Sequence, residues 1–313
     1  MMSNNKGAVS EGKDRIYHGI GKRFLKKLFP FWQRLGLHIT LKHFYEPVPD
    51  TTTLKDEIWR KDSEMVGINI REQDQINLLS DFRRNFKEEY ESLLRTATPV
   101  PYQYYINNGG FKSVDAEVLY CMIRHFKPKR IIEIGSGNST YLSAQGLLKN
   151  KKGGTNAELV AIEPYPNDTL KKGFPGLSRL ITGRVQNISL SEFSKLEEND
   201  ILFIDSSHVL KIGSDVQYEY LEVLPRLKKG VIVHVHDIFF PSEYPREWVL
   251  EDYRFWNEQY LLRAFLSFNS AFEVLWMGHY MHLKHPELLK RAFNSYKSET
   301  ASPASFWMRR KSR

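Results

Sequence analysis

From residue 130 onward the chain alternates short, unbroken apolar runs with segments of helical length, and this alternation limits its fold more than any other feature. The runs are 131–134, 159–162, 180–185, 201–204 and 231–235, and the helical segments between them are 139–149, 168–172, 190–197 and 212–227. A strand that is apolar on both faces needs cover on both faces. A strand followed by a helix and a further strand supplies that cover and returns the chain in parallel. The pattern therefore predicts an α/β fold with a doubly wound, mostly parallel sheet. A longer helix is expected over 251–268, carrying Phe255, Leu262, Phe265 and Leu266, and two further strands are expected at 272–277 and 305–308.

Upstream, Leu79, Phe82, Phe86, Tyr90 and Leu93 recur at steps of three and four, one apolar stripe of a helix over 72–94. Pro99 and Pro101 end it, 107–110 reads as a turn, and Ser113 is placed to cap a helix running to about His125. With the loop at 47–53, this gives a mainly helical cap or lid over 45–112 and an α/β domain over 113–313. Residues 1–44 form a separate basic segment whose first 14 residues are expected to be disordered. Within it, 23–35 places Phe24, Leu28, Phe31, Trp32 and Leu35 among Arg23, Lys26, Lys27 and Arg34, interrupted by Pro30. Such a stretch suits docking on its own domain or on a second subunit better than contact with an anionic membrane surface.

Composition narrows the class. No uncharged apolar run approaches the roughly 18 residues that cross a bilayer, and the polar start lacks the features of a secretory signal. Cys121 is the only cysteine. Disulfide frameworks and cysteine zinc sites are thus excluded, and a reducing cytoplasm is expected. The net charge of +8 is unevenly spread: residues 1–45 carry +7 and 284–313 carry +6, leaving −5 between them. A mildly acidic body without a basic stripe argues against nucleic acid as partner, and the basic ends read as attachments separate from the site of function.

Four motifs carry chemistry. Glu133-Ile-Gly135-Ser136-Gly137-Asn138-Ser139-Thr140 closes the first strand and opens a helix, where glycines allow close approach to a ligand. Thr140 stands where a dinucleotide fingerprint has its third small residue, which weakens the pyrophosphate version. Glu163 ends the second strand, a position from which a carboxylate accepts both hydrogens of a ribose diol. Asp205-Ser206-Ser207-His208 follows the fourth strand, and His234-Val235-His236-Asp237 ends the fifth. In open parallel sheets ligands bind outside the carboxyl ends of the strands, so Asp205, His208, His236 and Asp237 are expected to converge with the glycine turn. His208 could serve as a general base, and Asp205 with His236 or Asp237 could hold a divalent cation. His234, within its strand, reads as a packed and hydrogen-bonded histidine.

Glu133-Ile-Gly135-Ser-Gly137, Glu163-Pro, Phe-Ile-Asp205 and the closing strands together resemble the class I S-adenosylmethionine-dependent methyltransferases over about residues 113–313. That resemblance implies sheet order 3-2-1-4-5-7-6 with an antiparallel last strand. It implies S-adenosylmethionine as cofactor, held by Glu133, Gly135, Ser136, Gly137, Asn138, Ser139, Glu163, Asp205 and Ser206, with Gln186 and Asn187 at the adenine edge. Ser139 stands where the family usually has a third glycine. Asp205-x-x-His208 with Asp237 resembles the metal-dependent sugar O-methyltransferases of the macrocin type. This implies methyl transfer to a hydroxyl of a small polyhydroxylated metabolite or sugar, with His208 and Asp205 catalytic and magnesium on Asp205, His236 and Asp237. A nicotinamide-dependent oxidoreductase on the same sheet is the competing reading, and it lacks its hydride-transfer pair. A binding module without chemistry would disrupt the cofactor rim, whose acids are all present. Assembly as a homo-oligomer is compatible with the sequence.

Overall fold

The computed structural model describes residues 20–40, 42–43 and 45–311. The chain forms two compact units, Met1–Ile58 and Trp59–Arg313. In the first, helix α1 (Ile20–Arg34) runs through Pro30 without breaking, where an interruption was expected. A proline removes one backbone hydrogen bond, and here the loss falls near the end of the helix, with only Phe31–Arg34 beyond it. The stretch expected to be disordered lies outside the described residues, as do the side chains of Arg23, Phe24 and Lys26. Asp50 caps a short 3-10 turn, Thr51–Thr53, by accepting from the Thr52 backbone N–H.

The second unit is built on a seven-stranded sheet. Its strands are β1 (Arg130–Ile134), β2 (Glu158–Glu163), β3 (Arg179–Thr182), β4 (Ile201–Ile204), β5 (Ile232–Val235), β6 (Phe272–Met277) and β7 (Phe306–Arg310). Their order is β3-β2-β1-β4-β5-β7-β6. Strands β1 to β5 pair in parallel, and β7 runs antiparallel to both β5 and β6. Strands β1, β4 and β5 are buried on both faces, apart from the first residue of β1, which is why they read as continuous apolar runs.

Helices α2 (Glu72–Glu91), α3 (Asp115–Phe126), α4 (Asn138–Lys152), α5 (Asp168–Lys172), α6 (Leu190–Phe193) and α7 (Asp215–Tyr218) precede or join the parallel strands. The expected stripe of α2 buries Leu79, Phe82 and Tyr90, whose hydroxyl donates to the Ala292 carbonyl at 2.7 Å. Helix α3 begins later than Ser113 suggests. Val114 occupies the N-cap, and the Ser113 hydroxyl pairs with that of Ser295 at 2.8 Å. Asp115, inside the first turn, accepts from the backbone of Ala304 and Ser305 and so ties α3 to the chain entering β7.

Two differences from the sequence reading matter for the site. The helix expected over 251–268 forms only as α9 (Glu258–Leu266); its first part is an irregular link that follows a short helix, α8 (Arg246–Leu250). The Asn257 and Glu258 N–H groups both donate to the His208 carbonyl, at 3.1 and 3.2 Å, which starts α9 at the rim of the sheet. The basic C-terminal end is not a separate attachment. Helices α10 (Gly278–Lys284) and α11 (Pro286–Ala292) lead into β7, where Arg309 lies over the Phe126 ring and Arg310 over Phe272. No helix among the described residues is long and apolar enough to cross a membrane.

Candidate active site

The parallel strands all end on one rim, and the turns that leave β1, β2, β4 and β5 there build two adjoining cavities. One, of about 550 Å³, is lined by Gly135, Glu163, Tyr165, Gln186, Ser206 and Lys211 among others. The second, of about 460 Å³, is lined by Gly110, Phe111, Asn138, Asp237, Trp248 and Arg254 among others. Gly135, Glu163 and Asp205 border both, so the two open on each other around the end of β1.

Gly135 adopts φ +77°, and a Cβ there would lie 1.8 Å from the Asp205 carbonyl oxygen. Only glycine lets β1 and β4 leave the sheet side by side. Gly137 differs: its extended φ of −174° is open to any residue, and nothing stands within 4 Å of where a Cβ would be. It faces open space, as a backbone that cradles a ligand must. Behind the turn, Glu133 is wholly buried, accepts from the Ser139 hydroxyl at 2.6 Å and leaves Oε2 without a partner. Burial pushes its carboxyl up to about 8, against the pull of Ser139 and Thr140. Glu163 is aimed by two backbone donors, Ser136 N–H at 3.1 Å and Tyr165 N–H at 2.8 Å. The Ser136 hydroxyl and the Gln186 Oε1 are buried without partners. An open glycine, an aimed carboxylate and three orphaned polar atoms around a cavity of this size fit a nucleoside-bearing amino acid.

The second cavity ends on an acid–base cluster. His208 Nε2 lies 3.3 Å from Asp205 Oδ1 and 3.5 Å from Asp237 Oδ2. One donor atom from each of Asp205, His208 and Asp237 falls within 4.8 Å of the others, a spacing that could hold a metal ion. His208 and Asp237 both adopt left-handed backbone, φ 59° and 55°. Each costs about 1–2 kcal/mol for a residue with a Cβ, and strain of this kind gathers at functional sites. Behind the cluster, His208 Nδ1–H donates to Glu258 at 2.8 Å, and Tyr220 O–H donates to the other Glu258 oxygen at 3.0 Å. Trp256 packs on the imidazole with centroids 4.3 Å apart. Burial works against a charged His208, but Asp205 and Glu258 outweigh it and hold the imidazolium well above the usual histidine range. Burial pushes the Asp237 carboxyl up, whereas His236 and His208 overcome burial at Asp205 and hold it low.

The remaining expected residues fall in different places. His236 lines the second cavity and stands 3.9 Å from Asp237 Oδ1, whereas His208 lies nearer the other oxygen. The imidazole that joins both carboxylates is His208. Ser206 donates to the buried Glu219, and Asn187 lies exposed outside both linings. His234 is packed as expected, between Phe203 and Trp307, but neither ring nitrogen finds a hydrogen-bond partner. Glu258, Glu219, Trp256 and Arg254 were not singled out by the sequence. No motif marks them: tertiary contacts alone bring the link between α8 and α9, with Glu258 at its end, to the rim, and Glu219 reaches it from the segment Glu219–Val223.

The sheet order, the antiparallel β7 and a glycine turn facing an acidic β2 tip define a class I methyltransferase. The chain belongs to that family: residues 132–238 match the model of a methyltransferase domain, and its cofactor is S-adenosylmethionine. A protein of Archaeoglobus fulgidus described as uncharacterized is 34% identical over 171 residues, which cover 51% of this chain and 74% of that protein. A putative methyltransferase from Thermobifida fusca has a solved structure that is 14% identical, with 80% of this chain and 97% of that chain covered at a TM-score of 0.41. CalS11, a TDP-rhamnose 3'-O-methyltransferase of calicheamicin biosynthesis, is 13% identical, with 82% and 99% covered at a TM-score of 0.38. At such scores these two structural likenesses say nothing of activity or substrate.

Proposed function

We propose that the protein transfers the methyl group of S-adenosylmethionine to a hydroxyl of a small polyhydroxylated metabolite such as a sugar, in the manner of the macrocin-type enzymes. The observation that carries this reading is the Asp205, His208 and Asp237 cluster, strained at two of its three members, at the end of a cavity continuous with the cofactor cleft. When bound, the cofactor supplies an electrophilic methyl carbon on a sulfonium. Gly137 admits its amino-acid portion close to the backbone, Glu163 accepts from the ribose hydroxyls, and the unpartnered Gln186 Oε1 accepts from the adenine amine.

A hydroxyl is a poor nucleophile at neutral pH, so its proton must be drawn off as the methyl arrives. Two carboxylates beside an imidazole suit a divalent cation such as magnesium or manganese. Asp205 and Asp237 would hold it, and it would supply a lowered acceptor pKa. His208 accepts that proton only when neutral. Asp205 and Glu258 hold it protonated, so balancing the charge of Asp205 is what would favour its neutral form. Glu258 fixes the ring through Nδ1, which leaves Nε2 toward Asp205 and Asp237, the two carboxylates that line the second cavity. A cover over the cleft, expected from 45–112, is proposed for the loop whose Gly109, Gly110 and Phe111 line the second cavity.

A second reading makes His208 a third ligand, favoured by the convergence of all three donor atoms. His208→Ala separates the two. The base reading expects cation affinity within a few-fold of wild type and a rate loss of about 100-fold; the ligand reading expects affinity to fall as well. For methyl transfer itself, Glu163→Ala should weaken S-adenosylhomocysteine binding by calorimetry, and unchanged affinity would remove Glu163 from the cofactor site.

A further inference from the structure

Arg254 is the only Lys or Arg in the lining of the second cavity, whose other charged members are the carboxylates Glu163, Asp205 and Asp237. It sits in the irregular link between α8 and α9 and is held there. Its backbone N–H donates to the Trp248 carbonyl at 2.8 Å, and its guanidinium lies 4.7 Å from the Trp248 ring centroid and 5.6 Å from that of Trp256. Trp256 in turn packs on His208, so an unbroken file of stacked groups runs from the acid–base cluster to the cation. Two indoles occupying the guanidinium's surroundings leave its in-plane N–H donors as the groups free to meet a ligand. The ion pair among them is to Asp252, two residues back, at 3.0 Å, with both side chains more than 40% exposed. An exposed pair of this sort is worth little and is readily exchanged.

S-adenosylmethionine bears its own carboxylate beside a positive sulfonium, and Gly137 lines the same cavity, so S-adenosylhomocysteine affinity is what separates a hold on the cofactor from a hold on the acceptor. Arg254 does not assist proton removal, which falls to the cluster at the other end of the stack. Resting on the methyl-transfer reading above, we propose that Arg254 selects the acceptor. The acceptor is a small hydroxylated compound that also bears an oxyanion, a carboxylate or a phosphate ester, held by the Arg254 guanidinium while its hydroxyl lies at Asp205, His208 and Asp237. A carboxylate and a phosphate present the same paired oxygens to a guanidinium, so the two sources are left to experiment.

The test uses the full chain with methyl-labelled S-adenosylmethionine and the small-molecule extract of the cells that encode it; unreacted cofactor, a cation, is first removed on a cation exchanger, and products are then separated on an anion exchanger at neutral pH. Labelled product should be retained and elute with salt. Phosphatase treatment then releases the label to the unretained fraction if the group is a phosphate monoester and leaves it retained if it is a carboxylate. Label confined to the unretained fraction before phosphatase overturns the proposal while leaving methyl transfer intact. Label in no fraction overturns methyl transfer and this proposal with it. With the retained acceptor purified, Arg254→Gln should raise KM about 10- to 100-fold with kcat little changed. Arg254→Lys should recover part of that loss, and S-adenosylhomocysteine affinity should stay within twofold in both. An unchanged KM in Arg254→Gln overturns the assignment.

Discussion

Two buried acids govern the chemistry at the scale of single residues. Glu133 is neutral in the folded chain up to about pH 8 but ionises near 4.5 when unfolded. Its effect on stability is therefore absent below the unfolded value, grows as pH rises between the two, and is complete above the folded one. The full penalty is up to about 5 kcal/mol. Thermal unfolding followed from pH 5 to 8 should fall more steeply for wild type than for Glu133→Gln; parallel curves would show that Glu133 is not held neutral. Glu258 acts through another residue. Glu258→Gln keeps the size and one acceptor but loses the carboxylate facing His208 Nδ1. It should lower kcat about 10- to 100-fold, as outer partners of this kind do, and should alter the histidine nitrogen shifts that report the ring's tautomer by NMR. Unchanged shifts would leave Glu258 with a purely structural role. Glu133, Glu163, Asp205, His208 and Asp237 were legible in the sequence because each stands at the end of an apolar run. Glu258 was not, because nothing local separates a helix-starting glutamate that reaches into the rim from one that faces water.

At the scale of elements, the glycine turn makes two opposite demands within three residues. Gly135→Ala places a methyl against the Asp205 backbone and forces φ +77° on a residue with a Cβ, so the β1–β4 junction must part. A loss of several degrees in Tm is expected along with lost cofactor binding. Gly137→Ala meets nothing in the protein. It should melt within a degree or two of wild type yet bind S-adenosylhomocysteine at least about 10-fold more weakly; unimpaired binding would place the cofactor elsewhere. Apart from β3, expected to residue 185 but ending at Thr182 with its ends exposed, the strands were readable to within a residue or two, those buried on both faces as unbroken apolar runs. The segment 251–268 was misread as one helix, since Phe255 and Leu262 keep helical spacing. What breaks it is non-local: the His208 carbonyl takes the N–H groups of Asn257 and Glu258, and Leu210 N–H donates to the Asn257 side chain at 2.6 Å. That break puts Trp256 on His208 and Arg254 in the cavity, so the part of the site invisible to periodicity is the part that bears on the acceptor.

For the whole molecule, the uneven charge takes on a different meaning at each end. The basic residues of 284–313 include Arg309 and Arg310 of β7, which joins β5 to β6 and completes the sheet. Truncation after residue 304 should abolish cooperative unfolding by circular dichroism, since β5 would lose one of its two neighbours and β6 the strand that joins it to the sheet; a truncated chain that still melted sharply would contradict this. The acidic remainder of the chain holds the carboxylates of the cleft, and the account turns on whether two of them bind a cation beside His208. Calorimetric titration of manganese into the chain saturated with S-adenosylhomocysteine tests that directly. One cation per chain is expected, lost in Asp237→Asn while S-adenosylhomocysteine affinity is retained. No saturable binding, or binding unchanged in Asp237→Asn, would contradict a cation-assisted transfer at Asp205, His208 and Asp237.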